Sequence, residues 1–103
     1  MKIFISQPMS GLSDEEVKER RYEVIDRLQK LYPGSEFIDS FIESSSEYDI
    51  EENGCVPLKY LAISLKHMAD ADLVYFVNGW QKARGCIIEH ICAELYSLKI
   101  FEE

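Results

Sequence analysis

The sequence predicts an α/β domain with a mainly parallel sheet of four or five strands between two layers of helices. Short apolar runs rich in β-branched and aromatic residues alternate along the chain with segments of helical period. Their order is strand, helix, strand, long connection, helix, strand, helix, strand, which favours parallel βαβ pairing. At 103 residues and 47% hydrophobic content, residues 1–103 are expected to form a single domain. The predicted class is therefore a three-layer, flavodoxin-like α/β sandwich.

The first predicted strand, Lys2 to Ser6, is a short apolar run. The segment Gln7 to Gly11 ends it, because Pro8 has no N–H for a sheet ladder and Gly11 permits a turn. A loop with a glycine is therefore expected directly after this strand.

Ser13 and Glu16 have the spacing of a capping box, which predicts a helix that begins near Asp14. The helix is expected to end at residues 32–34, Tyr-Pro-Gly, and residues 36–38 to form a second strand. Its predicted apolar face contains Val17, Val24, Ile25, Leu28 and Leu31.

Residues 39–57 are acidic and serine-rich, and a connection of this length in a small domain favours a functional segment. It is interpreted as a partly helical lid. Pro57 suits the first turn of the next helix. That helix is expected to bury one apolar stripe, made of Leu58, Leu61, Ala62, Leu65 and Met68.

The segment from Asp72 to Glu89 predicts a buried strand, a loop and a helix. Residues 72–77 are the strand, and Asn78 and Gly79 tolerate the positive φ of a tight turn. A helical period follows Gly85, and residues 98–101 are expected to form an edge strand. The predicted apolar face of this last helix contains Ile87, Ile88, Ile91, Cys92 and Leu95.

Composition restricts the classes of partner. The net charge of −8 argues against nucleic acid, which requires a cationic surface. Three cysteines without C-x-x-C spacing predict neither a disulfide framework nor a zinc site, and they fit a reducing cytoplasm. The apolar run at the N-terminus is too short for a signal peptide, and no run has membrane-spanning length. No membrane, metal or cofactor is therefore expected.

The loops at residues 7–11 and 78–85 both follow strands and precede helices. In a parallel sheet such loops meet at one crevice, where ligands bind. Glu89 lies about one turn inside the helix after the second loop, where the helix dipole is expected to keep its carboxylate ionised. An ionised carboxylate can attack a sugar C1 or stabilise an oxocarbenium-like centre. Two ordinary turns and an exposed glutamate remain the alternative.

Two stretches of the chain resemble the nucleoside 2-deoxyribosyltransferases and their small relatives. Residues 3–11, IFISQPMSG, are similar to the opening strand and GPM-x-G loop of that superfamily. Residues 71–89 are similar to its block of an aD pair, an apolar strand, GW and G-x-x-x-E. The order of elements also fits, so the resemblance covers most of the chain outside the acidic segment.

The resemblance implies a small-molecule nucleoside or nucleotide ligand and chemistry at an N-glycosidic bond, by a transferase or N-glycosidase. Glu89 would be the catalytic nucleophile. The remaining site residues would bind the ligand, with Trp80 covering the base or packing between subunits. They are Gln7, Pro8, Met9, Ser10, Gly11, Gly79, Trp80, Arg84 and Gly85.

Three departures from the superfamily pattern favour a second hypothesis, a binding or sequestering protein without catalysis. Gln7 stands where glycine is usual and makes the loop bulkier. Ser64 stands at a position that is often aspartate, and Ala83 at one that is commonly serine or aspartate. Whether the protein is an enzyme therefore stays open, and a purely structural or interaction domain is a third possibility.

Arg84 is the basic residue nearest the predicted site, and Arg20 and Arg21 could reach the crevice from the first helix. A guanidinium beside a helix N-terminus suits phosphate. A homo-oligomer is expected, because a short chain with many aromatic residues favours a subunit contact.

Overall fold

A computed structural model describes residues 1–9, 11–39 and 53–103 of the chain. Ser10 and most of the predicted lid, residues 40–52, lie outside the described residues. The elements alternate between strand and helix as the sequence predicts. In chain order they are β1 (Lys2–Ser6), α1 (Asp14–Leu31), β2 (Glu36–Asp39), α2 (Val56–Met68), β3 (Leu73–Phe76), a short 3-10 helix (Trp80–Lys82), α3 (Arg84–Leu95) and β4 (Ile100–Glu102).

The described strands form one sheet in the order β2-β1-β3-β4, and every pairing is parallel. β1 and β3 are the central strands, with Ile3 opposite Leu73 and Ser6 opposite Phe76. The carboxyl ends of β1 and β3 therefore lie side by side, and the loops that follow them leave from the same edge of the sheet.

Helices cover both faces of this sheet. On one face, Val24 and Leu28 of α1 pack against alternate residues of β1 and β3, such as Ile5 and Tyr75. On the opposite face, a second core cluster joins the intervening strand residues to α2 and α3. Its buried members are Phe4, Met68, Val74, Phe76 and Ala93. The three-layer α/β class predicted from the sequence is confirmed.

The signals for helix boundaries are also confirmed. The Ser13 side chain accepts a hydrogen bond from the Glu16 N–H, and the Glu16 carboxylate accepts one from the Ser13 N–H. α1 ends at Leu31, with Tyr32 as its C-cap, and Pro57 lies in the first turn of α2.

The predicted buried face of α3 is only partly correct: Ile88 and Cys92 are half-buried, and Cys92 packs against the core. Ile91 and Leu95 are 50% and 75% exposed, and Ile87 also faces outward. The sequence analysis assigned the bulky aliphatic residues to the core, but the side that meets the sheet is smaller and partly polar. Small side chains allow a helix backbone to approach a sheet closely, and the polar members belong to the site described below. The buried residues are Cys86, Glu89, His90 and Ala93.

The predicted apolar faces of α1 and α2 are also partly wrong. Leu58 and Ala62 are exposed, whereas Ser64 and Met68 are the buried residues of α2. Leu31 is 57% exposed at the end of α1. Periodicity identifies the helices, but the neighbouring elements decide which side of each helix is covered.

None of the helices described in the structure is both long enough and apolar enough to span a membrane.

Candidate functional site

The site begins at the carboxyl end of β1, where two polar residues are buried. Ser6 and Gln7 are 0% and 1% exposed. The Gln7 Nε2 atom donates a hydrogen bond of 2.8 Å to the carbonyl oxygen of Val17 in α1. The Gln7 Oε1 atom is buried and has no partner among the residues that the structure describes. A buried acceptor without a partner destabilises the fold unless another donor satisfies it.

The connection after β3 turns at Gly79, whose φ of +94° lies in the left-handed region. That conformation is strained for residues with a Cβ atom. A Cβ atom at Gly79 would lie 3.7 Å from the Pro8 Cγ atom, so the loops after β1 and β3 contact each other. The short 3-10 helix follows the turn, and α3 then begins at Arg84.

Glu89 is buried at the centre of this arrangement, with 3% of its surface exposed. Its Oε1 atom accepts a hydrogen bond of 2.9 Å from the Ser6 hydroxyl. Its Oε2 atom is buried and has no hydrogen-bond partner in the described part of the chain. One carboxylate oxygen is therefore held by Ser6, and the other is unpaired within the described structure.

Burial raises the pKa of Glu89 to about 7, against a smaller opposing effect of the Ser6 hydrogen bond. This corrects the expectation that the helix dipole keeps the carboxylate ionised. The dipole acts mainly within the first turn of a helix, and Glu89 lies in the second turn of α3. Removal of the carboxylate from water is the larger effect.

Cys86 lies beside the same hydroxyl. Its thiol is buried, and desolvation raises its pKa to about 11 even though a hydrogen bond with Ser6 acts in the opposite direction. The negative charge of Glu89 adds to the increase. At neutral pH this thiol is therefore protonated and a weak nucleophile.

Gln7, Cys86 and Glu89 line a cavity of about 470 Å³, which lies in the range typical of small-molecule sites. Its walls come from the loop after β1, from one face of α2, and from the loop and first turns that lead into α3. The lining residues are Gln7, Met9, Pro57, Tyr60, Leu61, Ser64, Lys82, Ala83, Arg84, Gly85, Cys86 and Glu89.

The cavity brings together five of the residues predicted from the sequence and leaves four others outside its lining. The five in the lining are Gln7, Met9, Arg84, Gly85 and Glu89. Pro8 and Gly79 instead form the contact between the two loops, and Gly11 forms a positive-φ turn beyond β1. The tenth predicted residue, Ser10, lies outside the described residues.

Trp80 packs away from the cavity lining. Its ring stacks on His90 with centroids 4.1 Å apart and contacts Phe76 at 5.3 Å. His90 is only 9% exposed, and its Nδ1 atom lies 3.1 Å from a carboxylate oxygen of Glu94. Trp80 and His90 thus belong to the packing between α3 and the sheet.

The sequence analysis missed the contribution of α2. Tyr60, Leu61 and Ser64 form one wall, and Ser64 is 5% exposed. The available signal was the polar Ser64 between the apolar residues 61–63 and Leu65, because a buried polar residue often marks a site. The three departures from the superfamily pattern, at Gln7, Ser64 and Ala83, all line the cavity.

The cavity combines a buried carboxyl group with cationic residues at an exposed position. Lys82, the last residue of the 3-10 helix, and Arg84, the first residue of α3, are both exposed. Free backbone N–H groups at the start of a helix such as α3 favour anions. Arg20 and Arg21 are not among the lining residues. Across the described residues, no group of three or more His, Cys, Asp or Glu is placed to hold a metal ion.

The fold and the site define a three-layer α/β domain with a ligand-sized cavity at the carboxyl ends of its central strands. Over residues 1–102 the chain matches the family described as Domain of unknown function (DUF4406), and it belongs to that family. Comparison with curated proteins gives no match, and comparison with solved structures gives none either.

Proposed function

We propose that the protein binds a nucleoside or nucleotide and acts on its N-glycosidic bond, with Glu89 as the nucleophile. The observation that carries this proposal is the Glu89 carboxyl group in the wall of the 470 Å³ cavity, with Oε1 held by Ser6 and Oε2 without a partner among the described residues. The resemblance of residues 3–11 and 71–89 to the nucleoside 2-deoxyribosyltransferases supports the same assignment.

In the proposed step, a Glu89 oxygen attacks the C1 atom of the sugar and forms a glycosyl ester. The C1–N bond breaks, and the base leaves with the bonding electron pair and takes up a proton from solvent. Water or a second base then attacks C1, releases the sugar and restores the carboxylate. Ser6 holds Oε1 throughout and thereby orients the reacting oxygen.

The charge distribution supports a phosphorylated ligand. Lys82 ends the 3-10 helix and Arg84 begins α3, so a phosphate there would meet two cations and the free N–H groups of the α3 N-terminus. Glu89 lies more than one turn further along the same helix, so the sugar would lie between the phosphate and the base.

The pKa of Glu89 sets the condition for catalysis. With a pKa of about 7, the carboxyl group is charged in half of the molecules at pH 7 and in nearly all of them at pH 9. Only the charged form is a nucleophile, so the proposed activity increases as the pH rises through 7.

Base release from a panel of nucleosides, nucleotides and NAD-type dinucleotides tests the proposal. The native protein is expected to release free base from at least one member, and Glu89→Gln is expected to release none. Glu23→Gln makes the same change on the exposed surface of α1 and is the matched control. Release by Glu89→Gln at the native rate, or release by no protein from any compound, would defeat the catalytic proposal.

A non-catalytic ligand-binding protein is the second candidate. It is favoured by Ser64 and Ala83, which line the cavity where carboxylate or hydroxyl groups are common in the superfamily. General acid–base assistance contributes roughly 10²- to 10⁴-fold to rates, so its loss can leave binding without turnover. Thermal stabilisation by a nucleotide that is recovered intact would support this candidate, and an unchanged melting temperature with every compound would exclude it.

We also propose a homo-oligomer that works in a reducing cytoplasm, without nucleic acid or a membrane as partner. All three cysteines are free thiols. Ile91, Leu95 and Tyr96 are at least half exposed along α3, an apolar surface of the kind that subunit contacts cover. The net charge of −8 disfavours contact with nucleic acid.

A further inference from the structure

We infer that the cavity selects a pentose that carries its 2-hydroxyl group, and that Gln7 is the residue that recognises this hydroxyl. The inference rests on the proposed function, because it takes the Glu89 carboxyl group as the partner of the sugar C1. It goes beyond it by choosing ribose over 2-deoxyribose, although the superfamily that the chain resembles is named for the deoxy sugar.

The orientation of the Gln7 amide is fixed by its partner in α1. The Nε2 atom donates to the Val17 carbonyl oxygen over 2.8 Å. Reversal of the amide would place Oε1 against that oxygen, and two acceptors would face each other. Gln7 therefore keeps Oε1 as an acceptor, together with the second N–H of the amide, for anything else that approaches it.

Two acceptors in the lining consequently lack partners among the described residues, namely Gln7 Oε1 and Glu89 Oε2. Both side chains are more than nine-tenths buried, at 1% and 3% exposure. Buried acceptors are normally hydrogen-bonded, so this pair indicates a ligand that donates hydrogen bonds here. Phosphate oxygens and the sugar ring oxygen only accept, whereas sugar hydroxyls donate.

The proposed chemistry identifies which hydroxyl this is. When a Glu89 oxygen faces C1, the nearest hydroxyl of a ribose is the one on C2. Hydrogen bonds to a 2-hydroxyl strengthen as positive charge develops at C1, which makes this position useful for catalysis as well as for binding. A 2-deoxy sugar would leave the Gln7 acceptor unpaired, and sites with unpaired polar groups reject such analogues strongly.

Binding of ribose 5-phosphate and of 2-deoxyribose 5-phosphate, measured by calorimetry, tests the inference without any base release. The native protein is expected to bind ribose 5-phosphate about 10-fold more tightly or better. Gln7→Met has a similar shape without the acceptor, and it is expected to bring the ratio of the two dissociation constants close to one. Gln29→Met, on the exposed surface of α1, is expected to keep the native ratio.

The ratio of the two dissociation constants separates recognition by Gln7 from structural damage. A disturbed fold weakens the binding of both sugar phosphates and leaves this ratio unchanged. Equal binding of the two sugars, tighter binding of the deoxy sugar, binding of neither, or an unchanged ratio in Gln7→Met would overturn the inference. Glu89-dependent release of base from a deoxynucleotide, with no preference between the sugars, would retain the proposed function and reject this inference. A clear ribose preference without any base release would retain this inference and reject the proposed catalysis.

Discussion

The Ser6 hydroxyl donates a hydrogen bond of 2.9 Å to Glu89 Oε1, and it joins the last residue of β1 to the second turn of α3. Both residues are almost fully buried. The bond engages one carboxylate oxygen of Glu89, and the other has no partner in the described structure. The two oxygens of this carboxyl group are therefore not equivalent. The first four predictions below concern this bond and the elements around it.

Glu89→Gln is expected to remove a dependence of stability on pH. The pKa of Glu89 is about 7 in the folded protein and 4.5 in its ordinary state, so the folded protein binds this proton more tightly. Its contribution to stability is complete below pH 4.5 and is lost as the pH rises through 7, by about 3 kcal/mol at most. Denaturant unfolding should therefore find Glu89→Gln more stable than the native protein at pH 8 and not at pH 4.5. A constant difference between the two proteins would contradict the raised pKa.

Ser6→Ala is expected to move the titration of Glu89 to higher pH, because the Ser6 hydrogen bond lowers the pKa of Glu89. The free energy of unfolding at pH 8 should fall by roughly 1–3 kcal/mol, since a buried charged acceptor loses its donor. The carboxyl carbon shift of Glu89, followed by NMR, measures the midpoint directly. A protein that loses stability with an unmoved midpoint would show that Ser6 acts only in packing.

Two glycines near the site should respond in opposite directions to alanine. Gly79→Ala is expected to lower the free energy of unfolding by about 1–2 kcal/mol, because φ at this residue is +94°. The added methyl group would make only ordinary contacts, so the loss comes from the backbone conformation. Gly85→Ala is expected to stabilise α3 by up to about 1 kcal/mol, since its Cβ would lie 3.9 Å from Leu61 and alanine favours the helix. Because Gly85 lines the cavity, the same methyl group should weaken ligand binding. Equal changes in the free energy of unfolding for the two variants would contradict this difference in backbone conformation between Gly79 and Gly85.

Ile91→Glu is expected to dissociate the proposed homo-oligomer. Ile91 is 50% exposed on the outer side of α3, so a carboxylate there costs little in the isolated subunit and disrupts an apolar contact between subunits. Leu31→Glu places the same charge at the exposed end of α1 and is the control. Light scattering should give a smaller mass for Ile91→Glu alone, and a monomeric native protein would rule out the proposal.

The sequence was sufficient for the fold because the boundary signals are local. The capping box of Ser13 and Glu16, the break at residues 32–34 and the apolar run before Asn78 depend only on neighbouring residues. The facing of α3 could not be obtained in this way. Its larger aliphatic residues suggested one side, whereas contact with the sheet and the site buries the side with Cys86 and Glu89.

The candidate site, like the fold, could be predicted from the sequence only in part. The order of elements predicted that the segments around Gln7 and Gly85 lie near Glu89, and all three line one cavity. The position of Trp80 depends on its stacking with His90, a contact that no local pattern reveals. The raised pKa of Glu89 likewise follows from three-dimensional burial, which outweighs the opposing Ser6 hydrogen bond.

The most direct test of the central claim is mass spectrometry of the protein, acid-quenched during turnover of a nucleotide from which it releases base. The account predicts a covalent adduct with the mass of the sugar portion, located on the peptide that contains Glu89 and absent from Glu89→Gln. An adduct on a different residue, or an adduct of unchanged abundance in Glu89→Gln, would contradict the role of Glu89 as the nucleophile.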